Sequence, residues 1–509
     1  MEFYNVAEKY LCKVDYVSPE IKQYEKFKMF MSDIIHNQKR VLIYGDYDPD
    51  GVFCILQWRA GLRMFNVSDY EIFKYRKRMH TLDPFAVDQA LEQRFDYIII
   101  SDAASNDMES IKKLTSFGVR VIIVDHHECK YRYADYPNDC CIINTVMENR
   151  ENEEVLEGRQ EPFVLSGGAL VFVLLHKLAE DYRIPCHHLA PFAVSSMYAD
   201  CVDMSSTLAR GLYFMAKDLG EKFIPSEVDA FLSRYTTFNR RFIEFEMTPK
   251  LNAAFRMERF NYLNDNFLSK RVPTRGELNI MVEALRELHQ YSSEMVGKAT
   301  DIIYHEVKDN FVIGNLNTVN EHIDVRATKL YNYTGLIANK LAERYKKSAV
   351  VYYGMDGKIK GSFRDLYGRN YLNLFQSFSD SQGHPSAFGI RLNALQITDF
   401  LHSINLVDRD FAIKDLGNEP LIEGNWGAEP PDDRILNDMA MYNEFAGVKL
   451  PLVLLEVYKT QSMSETRTHY GTYVYRWGDR NINSKRRIIN GSKMLIRPTL
   501  GKGVRLYAL

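Results

Sequence analysis

Val41-Leu-Ile-Tyr-Gly-Asp46-Tyr-Asp48-Pro-Asp50-Gly51 and its echo Val121-Ile-Ile-Val-Asp125-His126-His127 decide how the chain is read. Each is a short aliphatic run that stops in acids, or in one acid and two imidazoles. Such a run between helical segments reads as a buried parallel strand. In open α/β sheets, ligands gather just outside the carboxyl ends of these strands. Asp46, Asp48 and Asp50 alternate just past the first strand end, where unpaired carboxylates would raise one another's pKa. A divalent metal is the simplest positive partner. The plainer alternative is an acidic loop whose aspartates cap the next helix.

The same unit recurs along the chain. Arg40 to Tyr44 is a strand, and Val52 to Phe65 a helix whose N-terminus points back at the acids. Tyr70 to Tyr75 is a strand ending in Arg76, Lys77, Arg78 and His80, either a solvated edge or cations for an anionic substrate. Asp96-Tyr-Ile-Ile-Ile-Ser-Asp102, Val119 to Val124 and Cys141 to Asn144 follow as strands. Ser18-Pro19-Glu20 opens a helix to about His36, and Ser166-Gly167-Gly168 opens an apolar one to Ala179. Residues 147–161 read as a polar loop, and the helix Ala190 to Ala199 leads into Asp200. Alternation of this kind predicts an α/β fold with a doubly wound parallel sheet over residues 1–224. Residues 225–306 read as a helical connector, and 307–405 as a second, smaller α/β domain. Residues 406–450 read as an irregular connector, and 451–509 as a basic, strand-rich module for which an OB-like arrangement is one candidate.

At 509 residues the chain should hold roughly two to four domains. A net charge of −3 gives no global pull towards polyanions, so nucleic-acid affinity would come from local patches. Seven cysteines without a CxxC pair suit a reducing compartment. With neither a signal-like N-terminus nor an apolar run near the ~20 residues of a membrane span, the expectation is a cytoplasmic protein with no membrane partner.

The polar residues near strand ends are Asp46, Asp48, Asp50, Asp102, Asp125, His126, His127 and Asp200. Carboxylates dominate and no cysteine accompanies them, which suits Mn²⁺ or Mg²⁺ better than structural zinc. So many acids exceed the needs of one ion and favour two, about 3.5–4 Å apart, as in in-line displacement at phosphorus.

These residues carry a resemblance. Gly-Asp46-Tyr-Asp48-Pro-Asp50-Gly, Ser-Asp102, Val-Asp125-His126-His127 and Ala-Asp200 resemble, in order and spacing, the four motifs of the DHH phosphoesterase superfamily. Asn144, Leu165-Ser-Gly-Gly-Ala-Leu-Val-Phe172 and Thr-Pro-Lys-Leu-Asn252-Ala-Ala-Phe-Arg256 resemble its RecJ branch of single-strand-specific 5′ exonucleases. Gly335 to Tyr345, Lys360-Gly-Ser362-Phe-Arg364 and Gln382-Gly-His384-Pro-Ser-Ala-Phe-Gly389 are similar to that family's accessory DHHA1 domain. The resemblance covers residues 38 to 392.

It implies one metal held by Asp46, Asp48 and Asp102, and a second by Asp50, Asp102, His126 and Asp200, with Asp102 bridging. His127 would face the scissile phosphate, and Asp125 would orient the imidazoles. Asn252, Arg256, Ser362, Arg364 and His384 would hold the substrate. Phe255, Gln382 and Asp365 depart from the family pattern at positions expected to touch substrate, and Ala103-Ala104 replaces the common Cys-Gly.

The tail lies beyond the resemblance. Between residues 451 and 509 it carries eleven Lys/Arg against three Asp/Glu. Tyr473, Tyr475 and Trp477 share one face of a strand beside Arg476, Arg480 and the run Lys485-Arg486-Arg487. Aromatics interleaved with cations bind single strands by stacking, although aromatics at this spacing also build plain cores. Tyr475, Trp477 and Arg486 are the expected contacts. The expected function is a metal-dependent 5′-to-3′ exonuclease on single-stranded DNA, releasing nucleoside 5′-monophosphates. Replication or repair proteins are candidate partners of the tail. The alternatives are a phosphodiesterase for oligoribonucleotides or cyclic dinucleotides, and a non-catalytic replication scaffold. Intact acids argue against the scaffold.

Overall fold

The aliphatic runs form a five-stranded parallel sheet in the computed structural model of the chain. Its strands are β1 (Val41–Gly45), β2 (Tyr70–Ile72), β3 (Tyr97–Ser101), β4 (Arg120–Asp125) and β5 (Cys140–Asn144), in the order β2-β1-β3-β4-β5. Ile43 lies opposite Ile99, and Ile99 opposite Ile122. Every residue of β1, β3 and β5 is buried, so both faces are covered, and the runs are accordingly apolar throughout and not alternating. Helix Pro49–Met64 packs on β1, helix Gly167–Tyr182 on β3 and β4, and helix Tyr24–Asn37 on β5. The chain leaves β1 for β2 on one side and returns to β3 on the other. The point where strand order reverses therefore falls between β1 and β3, the position where such sheets bind ligands.

The structure describes the chain except residues 1, 77–80, 153–154, 156–157, 159, 221–222, 233–236, 367–368, 411–420, 427–429, 447–451, 469–471, 486, 501–503 and 509. It forms two compact units, one of residues 1–252, 260–283 and 420–509, the other of 253–259 and 284–419.

The second unit is built on a six-stranded mixed sheet. Its strands are β6 (Tyr304–Val307), β7 (Phe311–Asn315), β8 (Ser348–Met355), β9 (Lys358–Arg364), β10 (Asp380–His384) and β11 (Ala387–Asn393), in the order β10-β11-β9-β8-β7-β6. Only β7 and β8 run parallel. Helix Thr334–Tyr345 lies on β8 and β9, burying Ile337, Ala338, Leu341 and Ala342 at helical spacing. A third, seven-stranded mixed sheet belongs to the first unit. Its strands are β12 (Leu421–Trp426), β13 (Val453–Tyr458), β14 (Glu465–Arg467), β15 (Tyr473–Trp477), β16 (Arg480–Ser484), β17 (Lys493–Thr499) and β18 (Arg505–Ala508), in the order β12-β13-β17-β18-β16-β15-β14.

Several expectations are corrected here. Residues 406–450 are not simply irregular, since they hold β12 and the 13-residue helix Asp433–Phe445, capped by the Asp432 side chain on the Ile435 amide. The tail is not a five-stranded OB barrel, because its sheet takes in a seventh strand from that connector and keeps β12 and β14 as edges. Ser18-Pro19-Glu20 does not start a helix. The Pro19 carbonyl accepts from Lys177 Nζ at 3.0 Å, and the helix begins at Tyr24. Strand β2 stops at Ile72, and helix Thr145–Arg150, capped by Asn144, overlaps the start of the expected polar loop 147–161. Between residues 225 and 306 helices dominate as expected, and one π-helical turn, Ile243–Met247, runs directly into helix Thr248–Arg256. No helix among the described residues is long and apolar enough to cross a membrane.

Candidate metal centre and phosphate-holding residues

Each metal-ligand candidate stands where an element ends. Asp46 and Asp48 follow β1, and Asp48 caps helix Pro49–Met64, its Oδ1 accepting from the Gly51 amide at 2.9 Å. The capping alternative is therefore true of Asp48 without excluding the other role. Asp102 follows β3 with φ 61°, the left-handed region, which turns its side chain back over the sheet end. Asp125 ends β4, and Asp200 follows helix Ala190–Ala199.

The fold brings these residues together in three overlapping groups: Asp46, Asp48 and Asp102; Asp50, His126 and Asp200; and Asp102, His126 and His127. His126 Nε2 is 3.1 Å from Asp102 Oδ1, 3.6 Å from Asp200 Oδ2 and 3.9 Å from Asp50 Oδ2. Small residues make this crowding possible. A Cβ on Gly51 would lie 2.2 Å from the Asp46 carbonyl oxygen, and one on Gly167 2.9 Å from Asp102 Cβ.

Asp50 is held by groups that sequence reasoning did not assign. The Gly167 and Gly168 amides donate to its two oxygens at 2.8 and 2.9 Å, and Ser196 Oγ also donates to it. The signal was present in Ser166-Gly167-Gly168, because a helix N-terminus with glycines offers amides to an anion. The anion it serves comes from the chain itself. Ser105, whose amide donates to Asp125 Oδ2 at 3.2 Å, was missed as well.

Asp125 is an orienting group. Its Oδ1 accepts from the His126 and His127 amides at 2.8 and 3.2 Å and lies 2.8 Å from His127 Nδ1. Burial pushes this carboxyl up, but the His127 hydrogen bond and both imidazoles outweigh burial and hold it well below the usual range. Burial opposes charge on His127 too, yet Asp125 and the surrounding carboxylates raise it to about 10. Its side chain is 54% exposed, so a charged imidazole stands at the rim of the acid cluster. Asn144 Nδ2 supports it by donating to the His127 carbonyl at 2.9 Å.

The cluster fits a divalent cation. Asp102 Oδ2 is buried with no hydrogen-bond partner among the described residues, although such oxygens are seldom left unsatisfied. Burial first, and the neighbouring carboxylates next, push Asp50 up to about 6 and Asp102 and Asp200 well above the usual range. Without metal, the native chain thus holds protons that the unfolded chain releases. For Asp50 that contribution is complete below about pH 4 and is lost as pH rises through about 6. Metal binding expels the same protons. The Tm gain from added MnCl₂ should therefore be small near pH 5 and grow by pH 7.5, as scanning calorimetry would show. An equal gain at both would exclude these carboxylates as the ligands.

In the second unit, Ser362 and Arg364 on β9 meet the start of helix Thr334–Tyr345. Thr334 Oγ1 is 2.9 Å from Ser362 Oγ, and a Cβ on Gly335 would come within 2.5 Å of Arg364 Nη2. Arg364 donates to the Phe363 carbonyl at 2.6 Å, has no ion pair among the described residues, and burial pushes its pKa down. Arg256 lies 5.6 Å from the centroid of the Tyr333 ring, and its carbonyl accepts from Asn332 Nδ2 at 2.8 Å. The segment 332–335 thus draws Arg256, Ser362 and Arg364 to one place. Asn252 is half-buried on helix Thr248–Arg256. His384 pairs in β10 with Ala387, which pairs with Arg364, and its side chain lies outside the described residues.

Two of the departures from the family pattern are packed into the structure. Phe255 is buried, and the Asp365 side chain is buried against Arg369 and Ser348. Gln382 is exposed and donates to Asp380.

Tyr475 and Trp477 are corrected. Both are 0% exposed, because alternation in β15 turns them into the core and sends Arg476 outward. They cannot stack on bases from there. Tyr475 instead accepts from the Ile488 amide at 2.7 Å and has Lys459 Nζ 4.5 Å from its ring centroid. Arg486 lies outside the described residues, as do Lys77, Arg78 and His80. Arg487 is paired with Glu465 at 2.8 Å, and Arg76 lies 5.1 Å from the centroid of the Phe85 ring.

Residues 40–204 match the family described as DHH family, N-terminal domain. The single-stranded-DNA-specific exonuclease RecJ of Bacillus subtilis is 25% identical over 423 residues, which cover 78% of this chain and 50% of the relative. The chain thus spans about half the length of that protein. The protein of the same description from Haemophilus influenzae is 19% identical over 410 residues, covering 74% of this chain and 67% of the relative. Among solved structures, RecJ of Thermus thermophilus in complex with Mn²⁺ superimposes with a TM-score of 0.70 at 16% identity. The match covers 97% of this chain and 72% of the other.

Proposed function

We propose, from a chain of the DHH superfamily with RecJ-type exonucleases as low-identity homologues over most of its length, that it is a metal-dependent exonuclease. It degrades single-stranded DNA from the 5′ end and releases nucleoside 5′-monophosphates. The supporting observation is a single chain carrying both an acid–imidazole cluster with an orphaned carboxylate oxygen and a half-buried arginine without an ion pair among the described residues. The first chemistry suits cations, the second phosphates.

Asp46, Asp48 and Asp102 would hold one Mn²⁺ or Mg²⁺, and Asp50, Asp102, His126 and Asp200 a second. Two such ions supply an activated water and neutralise charge on the phosphate oxygens. The chain's own groups do the rest. The Gly167 and Gly168 amides and Ser196 fix Asp50, and Asp125 fixes the His127 ring, so neither must reorganise when substrate arrives. His127, oriented by Asp125, faces the scissile phosphate and in its protonated form can pass a proton to the departing oxygen. Arg364, Ser362 and Arg256 grip phosphates, with His384 and Asn252 as further contacts of the same strand. Lys485 and Arg487 add charge at the tail, where Arg487 is already partly neutralised by Glu465.

Single strands labelled at the 5′ or 3′ end, duplexes and dinucleotides, each incubated with Mn²⁺, test this reading. Mononucleotide release from 5′ ends of single strands is expected. Hydrolysis of dinucleotides alone would replace it with the small-substrate reading, and no hydrolysis with the scaffold.

Arg364→Ala should raise KM on a long single strand about 10- to 100-fold, the equivalent of one charge-assisted hydrogen bond worth ~1.5–3 kcal/mol. Mn²⁺ affinity, measured by titration calorimetry, should not change. An unaltered KM would remove Arg364 from the phosphate-holding set.

A further inference from the structure

The C-terminal segment reaches the metal cluster through one helix. Ala190–Ala199 carries Ser196, which donates to Asp50, and ends in Asp200. At 100° per residue, Ser196 and Asp200 lie about 40° apart on one face, and Tyr198 lies on the opposite face. Tyr198 is buried, and its hydroxyl donates to the Glu444 carbonyl at 3.0 Å. The helix is thus held between the acid cluster and the last turn of helix Asp433–Phe445.

Around Tyr198 the contact is charged and buried. Arg240 lies 5.8 Å from its ring centroid, donates from Nε to Glu244 at 2.7 Å, and from Nη1 to the carbonyls of Asn443 (3.1 Å) and Ala446. The Arg240 amide donates to Glu444 Oε2 at 2.9 Å, an oxygen that also accepts from Tyr213 on helix Thr207–Leu219. Asn443 ties this turn to the third sheet, donating to the Val453 and Pro498 carbonyls at 2.9 and 3.1 Å. A surface module on a linker would need none of this desolvated polar network, since each buried group must find a partner or cost free energy.

We infer that the C-terminal segment braces the metal centre, with Tyr198 and Arg240 as the positioning residues through which it sets Asp200 and Ser196. The inference rests on the metal-site reading above. It assigns the tail a part in building the cluster, in addition to any part in gripping DNA.

Tyr198→Phe removes one hydroxyl and keeps the ring, and Arg240→Gln removes the cation. Leu455→Ala serves as the comparison, because Leu455 is buried in β13, so its truncation loosens the third sheet while every hydrogen bond of the brace keeps its donor and acceptor. Mn²⁺ is titrated by calorimetry into each variant of the whole 509-residue chain, with Tm recorded without metal.

Wild type should bind two Mn²⁺. In Tyr198→Phe and Arg240→Gln one of the two should weaken about tenfold, as for other groups that orient metal ligands, while the other holds. On single-stranded DNA kcat should fall with KM little changed. Leu455→Ala should lower Tm without that selective loss. If Arg240→Gln does not fold, Tyr198→Phe decides alone. Unchanged isotherms in the variants, or the same loss in Leu455→Ala, would overturn the brace and leave the metal site standing. A wild type that binds no Mn²⁺ would overturn both.

Discussion

Asp102→Asn is expected to leave a folded chain that has lost Mn²⁺-dependent hydrolysis by at least about a thousandfold, or ~4 kcal/mol of activation free energy. Asp102 belongs to two of the three ligand groups, and its Oδ2 is buried with no hydrogen-bond partner among the described residues. Asparagine is the informative replacement. Its amide matches the carboxylate in size, and it tolerates a φ of 61°, where alanine would add backbone strain of its own. Loss of activity can then be assigned to the missing charge. The metal-free Tm near pH 7.5 should equal or exceed that of wild type, because the substitution removes a buried carboxyl that its neighbours disfavour as an anion. The gain in Tm on adding MnCl₂ should largely disappear. More than a few per cent of wild-type rate would rule out Asp102 as a shared ligand.

The second large effect is on stability. Asp365→Ala should cost about 3–5 kcal/mol, read as a lower urea midpoint, because it strands a buried arginine. The Asp365 side chain is fully buried, with Oδ1 accepting from Arg369 Nη2 at 2.7 Å, Arg369 Nε at 3.1 Å and Ser348 Oγ at 2.6 Å, and Oδ2 accepting from the Arg369 amide at 2.9 Å. Replacing both partners in Asp365→Ala/Arg369→Met should restore much of the loss, since removing a whole buried pair is far cheaper than breaking one. Mn²⁺ binding should be untouched in both variants. If the double variant is as unstable as the single one, the pair is not what holds this loop.

The parallel sheet and its acid-ended strands were legible from the chain alone. A run such as Val121-Ile-Ile-Val followed by Asp125-His126-His127 carries its own period and its own stop, and both are local properties. The metal-ligand candidates were legible for the same reason: each sits one to a few residues past such a stop, or just after a buried helix. Alternation of elements predicted the parallel sheet, whereas the order β2-β1-β3-β4-β5, which puts the reversal beside the acids, came from the structure.

The pairing of distant polar groups was not legible. Tyr475 and Trp477 have the spacing of a stacking surface and of a core alike, and only packing on the third sheet decides that their face points inward. The connector 406–450 looked irregular because its strand is completed by hydrogen bonds to β13, a partner no local pattern names. Asp365 reads as a departure at a substrate position until Arg369 and Ser348 are seen to close on it.

Strand ends, the residue types gathered there and the cation chemistry they suit depend on neighbours within a few residues, so the linear chain specifies them. That Asp50 takes its amides from Gly167 and Gly168, or that Tyr198 meets Glu444 across 246 positions, is set by long-range packing. Partners so far apart are chosen by which buried polar groups can satisfy one another once the apolar faces have closed.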